Sequence, residues 1–155
     1  MLGYFRDPDA TARTVDAQGW LHTGDQGVRL PHGFIKFLSR LKDVIRVGGE
    51  NLSPLEVEEV LIAHPDVAEA VVVGAPHPRL TEVPVAFVVP RAGCSPTSAD
   101  LDAHCRRQLA NFKVPTRFIF VDDLPRSNAV MRVQKAKLRE MLAVEMARPD
   151  AQGKH

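Results

Sequence analysis

Residues 39–56 read SRLKDVIRVGGENLSPLE, and the rest of the chain is arranged around them. The stretch opens with alternating charged and apolar residues and then meets Gly48-Gly49. A helix-start signal follows: Ser53 as a cap, Pro54 at a first helical position that needs no amide hydrogen, and Glu56 to close a capping box. A strand, a tight glycine turn and a helix are therefore expected to meet here. Paired glycines let the backbone reach positive φ and approach another surface with no Cβ in the way, although the same pair also serves as a plain turn.

Upstream, Asp7-Pro8-Asp9-Ala10 with Thr11-Ala12 reads as a turn into a short helical piece. Gly19 to Asp25, GWLHTGD, reads as a strand that ends in a turn with Asp25 at its mouth. Gln26–Leu30 and Gly33–Leu38 read as two strands of a hairpin joined by Pro31-His32-Gly33. A lone hairpin is marginal in water and leaves its edges open, so this segment is expected to lean on a larger sheet that the chain does not contain.

Downstream, Val57, Val60 and Leu61 recur at helical spacing from Pro54 to His64, with Glu56, Glu58 and Glu59 on the other face, and His64-Pro65 stops the helix. Val67–Val73, ended by Gly74-Ala75-Pro76, and Val83–Val89 are dense β-branched runs and read as buried strands. Thr97 or Ser98 is placed to cap a second helix with Leu101, Cys105 and Leu109 as its apolar stripe. Phe118–Val121 reads as a third strand, and Lys135–Met146 as a third helix with Leu138, Met141 and Leu142 inward. The order hairpin, α, β, β, α, β, α gives an α+β domain from about residue 43 onward.

Composition narrows the function classes. The 155 residues are 45% hydrophobic and 25% charged, with a formal net charge of +1, enough for one domain and an appendage and too balanced for a general nucleic-acid or membrane-surface binder. Cys94 and Cys105 have no CxxC or Cys/His ligand spacing, which points to a reduced, cytoplasmic chain with no structural metal. No apolar run approaches the length of a membrane span, and no signal peptide is evident. The six histidines form no HExxH or short ligand pair, and no GxSxG elbow is present. Arg106, Arg107, Lys113 and Arg117 make a basic group that would suit a phosphate, though a charged helix face is ordinarily only solvated.

Taken in order, Gly19–Asp25, then Ser39-Arg40-Leu41-Lys42-Asp43, then Gly48-Gly49-Glu50-Asn51 with Pro54 and Glu56-Val57-Glu58, then His64-Pro65, then Leu124-Pro125-Arg126, resemble the adenylate-forming enzymes. That superfamily includes acyl-CoA synthetases, luciferases and peptide-synthetase adenylation domains. The resemblance covers nearly the whole chain but only the last third or so of such an enzyme. It implies that residues 1–41 are the distal end of a large AMP-binding domain and that 42–147 are a mobile C-terminal lid with a short, mainly antiparallel sheet. Residues 148–155 are then a disordered tail.

The resemblance also implies roles. Asp25 matches the aspartate that holds the ribose hydroxyls of ATP or the acyl-adenylate, and Arg40 an arginine beside the same nucleotide. Lys42 falls at the hinge about which the lid rotates between an adenylating and a thioester-forming pose. Gly48, Gly49 and Glu50 border the pantetheine tunnel, and Arg46 faces the reacting carboxyl in the second pose. The bland alternatives are a turn-capping Asp25 and a solvated basic face for Arg40, Lys42 and Arg46. Two departures stand out: Thr81-Glu82 where the family has Gly-Glu, and Met131-Arg132 where it has the Gly-Lys pair that ends in the adenylation lysine. The resemblance implies that Arg132 is the catalytic cation; the bland alternatives are that a one-residue shift of the loop gives that role to Lys135, or that Arg132 is only a surface residue.

The expected function is the C-terminal portion of an acyl-CoA synthetase, which turns a carboxylic acid, ATP and CoA into acyl-CoA, AMP and pyrophosphate. ATP/AMP with Mg2+ and coenzyme A would be its cofactors in the whole enzyme. No phosphate loop precedes Met1, so the chain is not expected to adenylate, or to hold these cofactors, without the missing AMP-binding domain. The rival is a non-catalytic interaction module, or a lid acting in trans on a separate large subunit.

Overall fold

The two longest strands form where β-branched residues crowd, and helices pack on both faces of the sheet they build. A computed structural model describes residues 2–127 and 131–147. The tail at 148–155, and residues 128–130 of the loop before Arg132, lie outside the described residues. The chain divides between Lys42 and Asp43 into two units.

In the first unit Asp7 caps α1 (Pro8–Thr14) by accepting the Ala10 N–H at 2.8 Å. β1 (Asp25–Arg29) and β2 (Ile35–Arg40) pair antiparallel as the expected hairpin, with a bulge between Gln26 and Gly27. The strand expected over Gly19–Asp25 does not form. Asp16 accepts the Gln18 and Trp20 N–H groups at 3.0 and 2.8 Å and meets His22 Nε2 at 3.0 Å, so a side chain takes donors that a ladder would have used. The Trp20 N–H above all holds the Asp16 carboxyl below its ordinary value. Apolar side chains stay at the surface of this unit: Trp20, Phe34 and Ile35 are 74%, 70% and 76% exposed.

In the second unit the sheet runs β4 (Glu50–Leu52), β3 (Ile45–Val47), β6 (Thr81–Pro90), β5 (Val67–His77), with β7 (Arg117–Phe120) parallel to β6. Successive strand residues face opposite sides. Ala70, Val72, Ala86 and Val88 therefore join Ile45, Val47 and Leu52 against α2 (Pro54–Ile62) and α3 (Ser98–Arg106), while Val71, Val73, Val85 and Phe87 meet Leu124 and α4 (Lys135–Ala147). Three helices on a mainly antiparallel sheet, with β7 its one parallel pairing, make the α+β fold expected from the residue pattern.

Four local expectations need correction. The helix-start signal at residues 53–56 is not a capping box: Ser53 is the N-cap but makes no capping hydrogen bond with its side chain, and Glu56 is held by Lys113 Nζ at 2.7 Å. The capping box sits instead on α3, where Thr97 and Asp100 bond each other's backbone N–H groups. Gly74-Ala75-Pro76 does not end β5, which runs on to His77; Gly74 lies under the Glu82 carboxylate, so close that a Cβ would meet Oε1 at 2.7 Å, and a terminal proline is tolerated on an edge strand. Met141 points outward at 43% exposure, because Leu138 and Leu142 already fill the stripe that α4 presents to the sheet. Beyond Gly48-Gly49 the chain also makes a strand, β4, before the helix begins.

Candidate functional site

Asp25 and Arg40 are brought together by the first unit. They are direct partners across the β1–β2 ladder, and Arg40 Nε lies 3.3 Å from Asp25 Oδ1 with both side chains 38% exposed. One carboxylate oxygen is engaged by the guanidinium and acceptor capacity remains on the other, an arrangement that suits a vicinal diol. Lys42 is exposed in the short helical turn Leu41–Asp43 that follows β2. Its neighbour Asp43 is paired with Arg139 Nη2 of α4 at 3.2 Å.

The second unit brings Arg46, Gly48, Gly49 and Glu50 together on one two-residue hairpin. Arg46 faces Asn51 and Val47 faces Glu50 across the ladder, and the turn has φ +57° at Gly48 and +94° at Gly49. Positive φ at both central residues is what a twist-matched two-residue turn demands, and only glycine reaches it without strain. Gly48 N–H donates to Leu80 O at 2.9 Å, which fixes the turn against the β5–β6 connection, while a Cβ at Gly49 would meet nothing within 4 Å. Arg46 N–H donates to Glu82 Oε2 at 2.9 Å. A cavity of about 310 Å³ opens beside the turn, lined by Val47, Gly48, Glu50, Leu80, Phe112 and Thr116 among others.

Arg132 belongs to a separate loop on the α4 side of the sheet. Ser127 N–H donates to Arg132 O at 2.9 Å, Met131 N–H to Ser127 O at 2.9 Å and Gln134 N–H to Pro125 O at 2.8 Å, and Arg126 bridges Val133. Arg132 itself is exposed and its side chain makes no hydrogen bond or ion pair among the described residues. Lys135 is spent elsewhere: its Nζ donates to Glu58 Oε1 at 2.8 Å and to Val72 O at 3.3 Å, and its side chain is only 22% exposed. Both sequence departures carry left-handed backbone, with φ +67° at Thr81 and +50° at Met131, the two positions where the resembling family has glycine.

Two of the remaining basic candidates are paired within the second unit. Arg106 pairs with Asp102 at 2.6 Å and Lys113 with Glu56, so both are neutralised locally. Cys105 is fully buried and its thiol is pushed up to about 11 by that burial. Among the described residues no group of three His, Cys, Asp or Glu side chains is placed to hold a metal, and no helix is long and apolar enough to cross a membrane. Reading the sequence alone missed the work of Glu58, Glu82 and Lys135. Their partners lie between 14 and 77 residues away, and no local pattern reports such distances.

The second unit is a small α+β domain that carries a glycine hairpin with one helical layer and the Arg132 loop with the other. Residues 56–129 match the AMP-binding enzyme C-terminal domain. Over 140 residues the chain is 48% identical to a 3-[(3aS,4S,7aS)-7a-methyl-1,5-dioxo-octahydro-1H-inden-4-yl]propanoyl:CoA ligase of Rhodococcus jostii (strain RHA1), across 90% of this chain and 27% of that one. ATP-bound MatB from Rhodopseudomonas palustris superposes with a TM-score of 0.83 at 40% identity, over 90% of this chain and 27% of that chain. o-Succinylbenzoate CoA synthetase (MenE) from Bacillus subtilis, in complex with the acyl-adenylate OSB-AMP, gives 0.77 at 38% identity, over 99% and 29%. The chain belongs to the adenylate-forming enzyme superfamily and corresponds to the C-terminal portion of its CoA ligases. It spans under a third of the length of these relatives.

Proposed function

We propose that this chain supplies the lid and the last hairpin of the large domain of an acyl-CoA synthetase, and that Arg132 is the adenylation cation. The observation that carries this reading is the contrast between the cation in this loop and the one that opens the helix after it. Arg132 is exposed with no partner among the described residues, whereas Lys135 is committed to Glu58 and Val72. A cation that must neutralise charge developing at a reacting phosphate has to be free to reach it.

In the complete ligase ATP supplies the activated phosphorus and coenzyme A the acceptor thiol. Asp25, held by Arg40, accepts the ribose hydroxyls. Lys42, at the junction of the two units, absorbs the backbone rotation between half-reactions. The Gly48-Gly49 turn, with no Cβ on either residue, lets a slender thiol arm pass close to the backbone, and Arg46 faces the carboxyl being transferred. Magnesium would arrive on the triphosphate. The partner is an AMP-binding domain, in the same chain or a separate one, and Trp20, Phe34 and Ile35 are the exposed apolar residues it would cover.

The test joins this chain to the AMP-binding domain of a related CoA ligase and measures the half-reactions separately. Arg132→Ala is expected to lower ATP–pyrophosphate exchange about a hundredfold or more, with Arg132→Lys at or above the starting rate, because a donor misplaced by an ångström costs about that factor. Release of CoA ester from preformed adenylate should stay nearly unchanged. Undiminished exchange in Arg132→Ala would overturn the assignment.

A further inference from the structure

Glu58 and Lys135 meet in an unusual place. Lys135 is the first residue of α4, where the helix dipole disfavours a cation, so helix stability does not explain its position. Glu58 lies in α2 yet turns from solvent, with its side chain 13% exposed. Because α2 and α4 cover opposite faces of the sheet, the pair reaches around the outer edge of β5 and joins the two helical layers. Both side chains also bind the backbone of the strand they cross: Glu58 Oε1 accepts the Val72 N–H at 2.8 Å, and Lys135 Nζ donates to Val72 O.

The other stem of the loop is fastened in the same way. Arg126 pairs with Glu69 of β5 and, at 3.0 Å, with Asp123. Arg126 and Lys135 thus bracket the segment that carries Arg132, and each is tied to a carboxylate on a rigid element. A loop of this length loses its geometry unless its ends are fixed, and a partly buried charge pair is a stiff way to fix them.

We infer that Glu58 and Glu69 are positioning residues for adenylation: they pin the two stems of the loop to β5 so that Arg132 is presented in one place. The inference rests on the assignment of Arg132 given above. It adds that the α2 carboxylate acts on the first half-reaction from outside the site.

Two measurements test it. In the 155-residue chain, Glu58→Gln and Glu69→Gln should speed hydrogen exchange at the Met131 and Gln134 amides at least tenfold, with Val85 and Phe87 unchanged; the exposed neighbour Glu59→Gln should change neither. In the joined ligase, Glu58→Gln should lower kcat for adenylation about ten- to a hundredfold, leave KM for ATP within twofold, leave the thioester step unchanged, and be partly rescued by Glu58→Asp. Unchanged exchange at Met131 and Gln134, or equal losses in both half-reactions, would overturn the inference. A joined ligase in which Arg132→Ala adenylates normally would instead overturn the reading of Arg132, and the exchange data would still decide whether the carboxylates hold the loop.

Discussion

The two units of this chain use similar amino acids to opposite ends. In the unit that ends at Lys42 the aromatic and branched residues Trp20, Phe34 and Ile35 lie on the surface, and among its described residues only Ser39 is buried. In the unit from Asp43 onward, Phe87, Ile45, Leu61 and Val72 are essentially inaccessible. Both units contain an antiparallel hairpin of respectable length. The difference is that β5 and β6 have helices on each face and β1 and β2 have none, so burial is conferred by a second layer and not by strand composition.

That contrast can be broken most directly by truncation. Phe87→Ala is expected to destabilise the second unit by about 3–5 kcal/mol, whereas Phe34→Ala should change stability by under about 0.5 kcal/mol, both read from urea unfolding. Hydrogen exchange provides the parallel check: amides of Ile35–Phe37 should exchange much faster than those of Val71–Val73, and equal protection would erase the distinction between the units.

A pH titration sharpens it. Burial raises the Cys105 thiol from 9.0 to about 11. The unfolded chain therefore releases that proton first, and stability present below pH 9 should decline as pH rises from 9 toward 11. The loss at pH 10 is on the order of 1 kcal/mol, and it should vanish in Cys105→Ala. No thiol in the first unit can give this slope.

Helix caps should behave alike in both units, since neither Asp7 nor Thr97 depends on a core. Thr97→Ala should cost about 1 kcal/mol, visible in thermal unfolding. The smallest effects concern backbone strain. Thr81→Gly and Met131→Gly should each stabilise by roughly 0.5–1 kcal/mol, by relieving left-handed residues that carry a Cβ, while Gly49→Ala should destabilise by a similar amount.

Much of the fold was legible because it is written locally. The β-branched runs gave β5 and β6, the spacing of Leu101, Cys105 and Leu109 gave α3, and Gly48-Gly49 gave the hairpin turn. The errors arose where a side chain engaged a group that the local pattern assigned elsewhere. Lys113, 57 residues on, takes Glu56 from its cap, and Asp16 draws residues 18–22 out of the expected strand. The same limit applied to the site. The glycine turn is adjacent in sequence and visible there, whereas the carboxylate that Lys135 meets, Glu58, lies 77 residues away.

The Glu58–Lys135 pair has one more consequence, which concerns other molecules. β5 ends the sheet, and an end strand with open amides and carbonyls is a template on which a foreign strand can grow. At Val72, in the middle of that edge, the N–H and C=O are already taken by side chains. An incoming strand would have to displace a partly buried ion pair before making its first two hydrogen bonds. The longest of the described strands is thereby closed to addition at its centre by a salt bridge, between a bulge at Val67–Glu69 and Pro76 near its two ends.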